Sequence, residues 1–214
     1  MTNESLEQYI QMYNSGKWNI PISSYRIGEN VVFGKVWSNY PTGEVSNEES
    51  KKFYFIEHAF ECVAIVFEMD KYDLHWLVTE RMRKKGYLHN ALKEIILPHM
   101  FSDGRLEQCA SADSEKNIKY LLRQGFEERN KDGKIIYFLN SNNVKLFTNS
   151  QVKRTQISDN EFANIKKQLH KLASELRIIR DQIKCAYDDD FNIEDIAYQV
   201  DDLGYEIEYQ CKNS

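Results

Sequence analysis

Residues 74–91 read LHWLVTERMRKKGYLHNA, and the fold assignment turns on them. Leu74 to Thr79 (LHWLVT) is apolar and rich in β-formers, the signature of a strand. The run then meets Arg81, Arg83, Lys84 and Lys85, followed at once by Gly86. From Leu88 the period changes: Leu88, Ala91, Leu92, Ile95 and Ile96 recur at helical spacing, until Pro98 ends or bends the helix. A strand therefore passes through a basic glycine turn directly into a helix. Amide groups at a helix N-terminus carry partial positive charge and bind phosphate oxygens. Glycine lets the backbone approach a ligand closely, and neighbouring cations add charge-assisted contacts. The physical reading is an anion-binding turn suited to a diphosphate. Charge runs are more often solvated faces; here the flanking strand and helix favour the phosphate.

Outward from this point the chain has four textures. Residues 1–20 open with a short amphipathic helix carrying Leu6, Tyr9, Ile10 and Tyr13 on one face, ended by Gly16. Residues 21–140 hold the strand signals. Asn30 to Ser38 reads as a strand, and Phe53 to His58 and Glu61 to Met69 as an antiparallel pair turning at Ala59–Phe60. After the central strand and helix come a short strand (Leu106 to Ala110), a helix (Ser114 to Gln124), Gly125 as a left-handed cap, and a last strand (Lys134 to Leu139). The order β-β-β-β-α-β-α-β predicts an α/β (α+β) domain: one mixed, mainly antiparallel sheet flanked by helices. Residues 141–157 read as a linker and 158–212 as an antiparallel helical hairpin.

At Arg83-Lys84-Lys85-Gly86-Tyr87-Leu88 the sequence resembles the [RQ]-x-x-G-x-[GA] signature of the GCN5-related N-acetyltransferases, and GYLHNAL resembles the GYxxxAL run of their ribosomal-protein branch. SEKNIKYLLRQGFEE (Ser114 to Glu128) is similar to the family's later helix ending in GF. The resemblance spans about residues 25–140. It implies an acetyl-CoA-dependent N-acetyltransferase acting by direct attack of an amine on the thioester, with a gap between two strands that receives the pantetheine arm. Carried over, Leu77, Val78 and Thr79 would line that arm, the amides of Arg83, Lys84, Lys85, Gly86, Tyr87 and Leu88 would hold the diphosphate, and Asn117 would sit near the pantetheine. Two positions depart from the pattern. Leu88 stands where a small residue is usual. The family's tyrosine acid, four residues before the GF glycine, falls on Leu121, with Tyr120 one place away. His75 and Tyr120 are the catalytic candidates. Glu57, His58 and Glu80 are further bases, each also readable as an ordinary surface or core residue. The second reading is a catalytically degenerate CoA-binding domain acting as an interaction module.

In the hairpin, Ser158 and Glu161 form a capping-box pattern. Phe162, Ile165, Leu169, Leu172, Leu176, Ile179 and Ile183 then make a heptad seam, and Ile193, Ile196, Val200, Leu203 and Ile207 a second apolar face. Basic residues dominate the first helix and acidic ones the second, so the two attract. Such a hairpin has little core and calls for a partner surface: its own sheet, a second copy or another protein.

Composition narrows the remaining classes. A net charge of −5 speaks against a nucleic-acid partner. No apolar run is long enough to cross a membrane, and the polar N-terminus lacks the order of a signal peptide, so a cytoplasmic setting is expected. Cys62, Cys109, Cys185 and Cys211 have no CxxC spacing and the histidines no metal spacing, so neither a zinc site nor a metal cofactor is expected. The expected acceptor is an amine on a small molecule or a protein.

Overall fold

The computed structural model describes residues 2–37, 40, 50–70, 73–131, 133–148, 152–153, 156–187 and 189–213. The chain divides into two compact units, Met1–Arg154 and Thr155–Ser214.

The first unit is α+β. Helix α1 (Asn3–Ser15) starts on Thr2, whose Oγ1 accepts from the Ser5 amide at 3.3 Å, and stops at Gly16 in the left-handed region (φ 66°). Five strands follow as an antiparallel meander, in sequence order across the sheet: β1 (Ile22–Gly28), β2 (Val31–Val36), β3 (Lys51–His58), β4 (Glu61–Asp70) and β5 (Asp73–Val78). A helical run comes next, made of α2 (Tyr87–Ala91), one π turn (Leu92–Ile96) and α3 (Leu97–Phe101). Then come β6 (Glu107–Ala110), α4 (Glu115–Arg123), β7 (Glu127–Lys131) and β8 (Lys134–Asn140). The last three strands form a separate antiparallel sheet in the order β6-β8-β7.

Three differences from the sequence reading follow. The expected single mixed sheet is two antiparallel sheets, with no ladder joining β5 to β6. Strands β1 and β7 are additional. Pro98 does not end the helix: the wider π turn just before it gives its ring room against the preceding carbonyl, and the helix continues to Phe101.

Strand β3 explains why the sheet reads as a continuous apolar run. Both of its faces are covered. Phe53 and Phe55 point toward α1 and pack with Leu6, Ile10 and Ile65, whereas Tyr54 and Ile56 point toward the helical run and pack with Leu92, Ile96 and Leu121. Each fully buried aromatic or branched side chain contributes roughly 1.5–3 kcal/mol. Gly34 is required here, because a Cβ would lie 2.9 Å from the Phe55 ring. At the tip between β3 and β4, Ala59 (φ 50°) and Phe60 (φ 67°) are both left-handed, the geometry of a tight hairpin turn.

The second unit is the hairpin α5 (Asp159–Tyr187) and α6 (Ile193–Lys212). Its capping box is formed: the Glu161 amide donates to Ser158 Oγ at 3.3 Å, and the Ser158 amide donates to Glu161 Oε2 at 2.7 Å. At the turn, Asp189 and Asp190 accept from the amides of Phe191 and Asn192. The seam keeps only part of the apolar heptad expected. Its centre is Phe162 and Ala173 against Ala197 and Gly204, all buried. A Cβ on Gly204 would meet Lys166 Cγ at 2.8 Å, so the helices approach closely. One flank is ionic: Lys166 with Glu208, His170 with Asp201, and Arg177 with Asp201 and Glu194. Of the heptad residues, Phe162 and Leu169 face the seam, the latter within 3.3 Å of the Gly204 Cβ position, whereas Leu172 and Ile179 stand on the other flank, about half exposed.

Candidate functional site

Where β5 and β6 part, a single carboxylate ties them. Asp73 Oδ1 accepts from the Leu74 amide at 2.9 Å and from the Ser111 amide at 2.9 Å, and Ser111 Oγ donates to Oδ2 at 3.0 Å. Nearby, Arg105 donates to Glu68 at 2.7 Å; their side chains are only 8% and 4% exposed. Asp103 also bonds Arg105, which holds the Asp103 carboxyl below its ordinary range. These contacts pin the start of β5 to β6. Beyond them β5 continues with one edge unpaired. Thr79 donates toward β4, from its amide and from Oγ1, both to Val63 O. Strand alternation then turns the peptide groups of Trp76 and Val78 to the open edge. Val78 O accepts there from Arg83 Nε at 3.2 Å.

Along that edge lies a cleft of about 910 Å3. One wall is Trp76, Leu77 and Val78. The mouth is Arg83, Lys84, Gly86 and the start of α2. The facing wall is α4, with Lys116, Asn117, Lys119, Tyr120 and Arg123. Lys84 (φ 64°) and Gly86 (φ 87°) are left-handed, so the backbone reverses twice before the helix begins. Five cations line the cleft: Arg83, Lys84, Lys116, Lys119 and Arg123. The acidic residue in the lining, Glu115, is paired to Lys119 at 2.5 Å.

Tyr120 is the most informative side chain. Its ring packs on Trp76 at 5.6 Å between centroids, and its hydroxyl is buried without a hydrogen-bond partner. Burial raises its pKa well above the ordinary phenol range. The Gln124 side chain beside it opposes that rise, although the geometry falls short of a hydrogen bond. Gln124 is itself buried, and its Nε2 lies 2.6 Å from His89 Nδ1, another cleft residue. Leu121 is fully buried in the core. The one-residue rotation on α4 therefore puts Tyr120, rather than Leu121, toward the cleft.

The other expected residues divide. Leu77, Val78, Arg83, Lys84, Gly86, Leu88, Asn117 and Tyr120 are brought together. Thr79 is turned to β4, Lys85 lies outside over Met82 at 3.4 Å, and the Tyr87 ring packs tilted against His58, 4.6 Å between centroids. His75 is outside the cleft lining, 3.6 Å from Asp73, on the strand face opposite Trp76. Glu57 is bound to Tyr13 and Arg26 beside α1. Sequence reasoning passed over His89, Lys116, Lys119 and Arg123, and read Trp76 as core in preference to a substrate-facing residue, whereas it lines the cleft. Lys116, Lys119 and Arg123 have a legible signal, since with Tyr120 they sit at helical i, i+3, i+4, i+7 spacing.

Among the described residues no group of His, Cys, Asp and Glu is placed to hold a metal ion, and no helix is long and apolar enough to cross a membrane. Compared with known proteins, the chain matches no family model and no curated protein sequence.

Proposed function

We propose that the first unit is an N-acyltransferase that binds acetyl-CoA in the cleft between β5 and α4 and passes the acetyl group to an amine. The observation that carries this reading is the joining, in one cleft, of an unpaired strand edge, a basic glycine turn and an unpartnered buried hydroxyl. The edge suits an extended amide-bearing arm, which would complete it as a further strand does. The turn suits a diphosphate. The resemblance to the GCN5-related N-acetyltransferases supports the same reading.

The chemistry asks for a proton acceptor at the attacking amine and a donor at the departing sulfur. As the amine nitrogen bonds to the carbonyl carbon, the C–S bond breaks, the amine loses a proton and the thiolate gains one. Tyr120 is kept neutral by burial and is suited to donate. His89 takes the acceptor role in place of His75. A carboxamide has two orientations that differ only in which atom is nitrogen. With Gln124 Oε1 toward His89, the ring donates from Nδ1 and leaves Nε2 bare as a base. Gln124 Oε1, otherwise buried without a partner, is then satisfied by that N–H.

The test is thermal unfolding with and without acetyl-CoA, on the wild type and Gly86→Val. Saturation at about 100 times Kd stabilises by roughly 2.7 kcal/mol, a rise of a few degrees. Valine at φ 87° strains the turn and puts side-chain bulk where the diphosphate would lie, so the variant should fold but show no rise. Equal shifts in both proteins would remove the assigned site. A shift without transfer to any of a panel of amines would favour a degenerate CoA-binding domain, the reading suggested by Leu121 lying in the core.

A further inference from the structure

The edge of β5 along the cleft carries a cap of its own. Val78 O, in the last of the outward peptide groups, accepts from Arg83 Nε at 3.2 Å. The chain arranges this locally. A single 3-10 turn, Glu80–Met82, is closed by the Met82 amide on Thr79 O at 2.9 Å and the Arg83 amide on Glu80 O at 3.2 Å. That reversal brings the Arg83 stem back beside the strand it has just left. The Arg83 side chain has no other tie. Its neighbour Arg81 is paired to Glu61, but among the described residues no carboxylate lies within ion-pair distance of Arg83, and its terminal amino groups have no hydrogen-bond partner. The side chain is exposed and lines the cleft. One guanidinium thus stands between two acceptors: the carbonyl it holds, and the anion that the adjoining turn suits. A neutral carbonyl takes one bond from it. A phosphate takes two parallel charge-assisted bonds, each roughly twice as strong as a neutral one.

We propose that Arg83 determines which thioesters the cleft accepts, by closing the strand edge until a diphosphate opens it. This rests on the acetyl-CoA reading of the cleft. While Arg83 holds Val78 O, an amide-bearing arm that arrives alone has to displace it. A diphosphate at the turn draws the guanidinium away and leaves the carbonyl to the arm's amide. Diphosphate and arm then bind with positive coupling, each raising the affinity of the other by one and the same factor. The cleft is selective for thioesters that carry a diphosphate, beyond what the diphosphate contacts add by themselves. A single hydrogen bond of this kind sets the coupling at about threefold to tenfold.

Binding of S-acetylpantetheine, which has the arm and no diphosphate, tests this on the full chain and on Arg83→Met. Each titration is run with and without inorganic pyrophosphate, with acetyl-CoA on the wild type as reference. Methionine keeps an unbranched stem and offers no donor. Arg83 is exposed, so the variant is expected to fold, and an unchanged melting temperature checks that. In the wild type, pyrophosphate should tighten S-acetylpantetheine by about threefold to tenfold. In Arg83→Met, S-acetylpantetheine alone should bind tighter than to the wild type by the same factor, and pyrophosphate should add nothing. Acetyl-CoA itself should bind the variant more weakly, since a phosphate contact is gone. S-acetylpantetheine binding no tighter to the variant overturns the closed edge. Coupling that survives in the variant overturns Arg83 as its seat. Either result, with acetyl-CoA bound by the wild type, leaves the cofactor reading standing. A wild type that does not bind acetyl-CoA removes that reading and this one with it.

Discussion

At the residue scale the informative contrast is Tyr120 and Leu121. Side by side in sequence, they differ by about 100° around α4. One reaches the cleft and the other is fully buried in the core. Tyr120→Phe removes only the hydroxyl, which has no partner in the folded chain, so stability should hold or rise slightly. Transfer should fall by about 10²-fold or more if that hydroxyl serves the leaving sulfur, with acetyl-CoA affinity unchanged. Single-turnover kinetics beside a binding isotherm checks both. Arg83, Lys84, Gly86 and Leu88 were legible because the turn's chemistry is local: charge, glycine and helix start lie within a few residues. His89 was not. Its meaning depends on Gln124, thirty-five positions away, and no spacing rule joins a helix start to the buried face of another helix.

At the element scale, the apolar strands announced themselves, whereas two polar edge strands, β1 and β7, did not. Strand β7 (EERNK) is almost wholly charged, and β1 (ISSYRIG) carries two serines directly after its first residue. Edge strands need no apolar alternation, and charge there discourages pairing with foreign strands. The hairpin misled in a different way. A regular heptad reads as a seam, yet only part of it, Phe162 and Leu169 among them, meets the other helix; the rest of the buried contact is Ala173, Ala197 and Gly204, since small residues let the backbones close and bring the long ion pairs into reach. Ala173→Leu should therefore force the helices apart. An overpacked core position costs about 1–3 kcal/mol, a large share of what a two-helix unit can have. The check is the denaturant midpoint of the hairpin's helical signal, expected to fall while the tryptophan signal from the first unit stays. The tryptophans, Trp18, Trp37 and Trp76, are all in the first unit.

At the scale of the whole molecule, the two units should differ in their response to acid. His99 lies among Tyr25, Tyr54, Phe33 and Phe147, and burial first, then Lys52, lower its pKa to about 4. The folded unit thus binds fewer protons than the unfolded chain between pH 6.5 and 4. Stability from this site is complete above pH 6.5 and is lost as pH falls toward 4. In the hairpin the sign is that of a carboxylate. Lys166 and then Lys212 hold Glu208 at about 2, so its contribution is present above the ordinary carboxylate range and is lost as pH falls toward 2. Tryptophan-detected urea midpoints should drop between pH 7 and 5, and less so in His99→Gln. The helix-detected midpoint should begin to drop only below about pH 4.5. The division into two units was visible in sequence texture, because charge and periodicity change together near residue 158. The splitting of the sheet was not a property of any one strand: it follows from Asp73, Ser111 and Arg105 holding one end together while the other has no ladder.

That open end of β5 has a colloidal consequence. A strand with peptide groups facing outward is a template for any other extended chain, and the first such chain in a concentrated solution is a neighbouring molecule's. Arg83 and Lys84 stand at its mouth and repel an identical partner, as gatekeeping charges do. Neutralising both, in Arg83→Gln/Lys84→Gln, should turn warm concentrated solutions turbid sooner than the parent protein. A ligand that occupied the edge would then act as an anti-aggregation agent, slowing turbidity at concentrations where it barely moves the melting temperature.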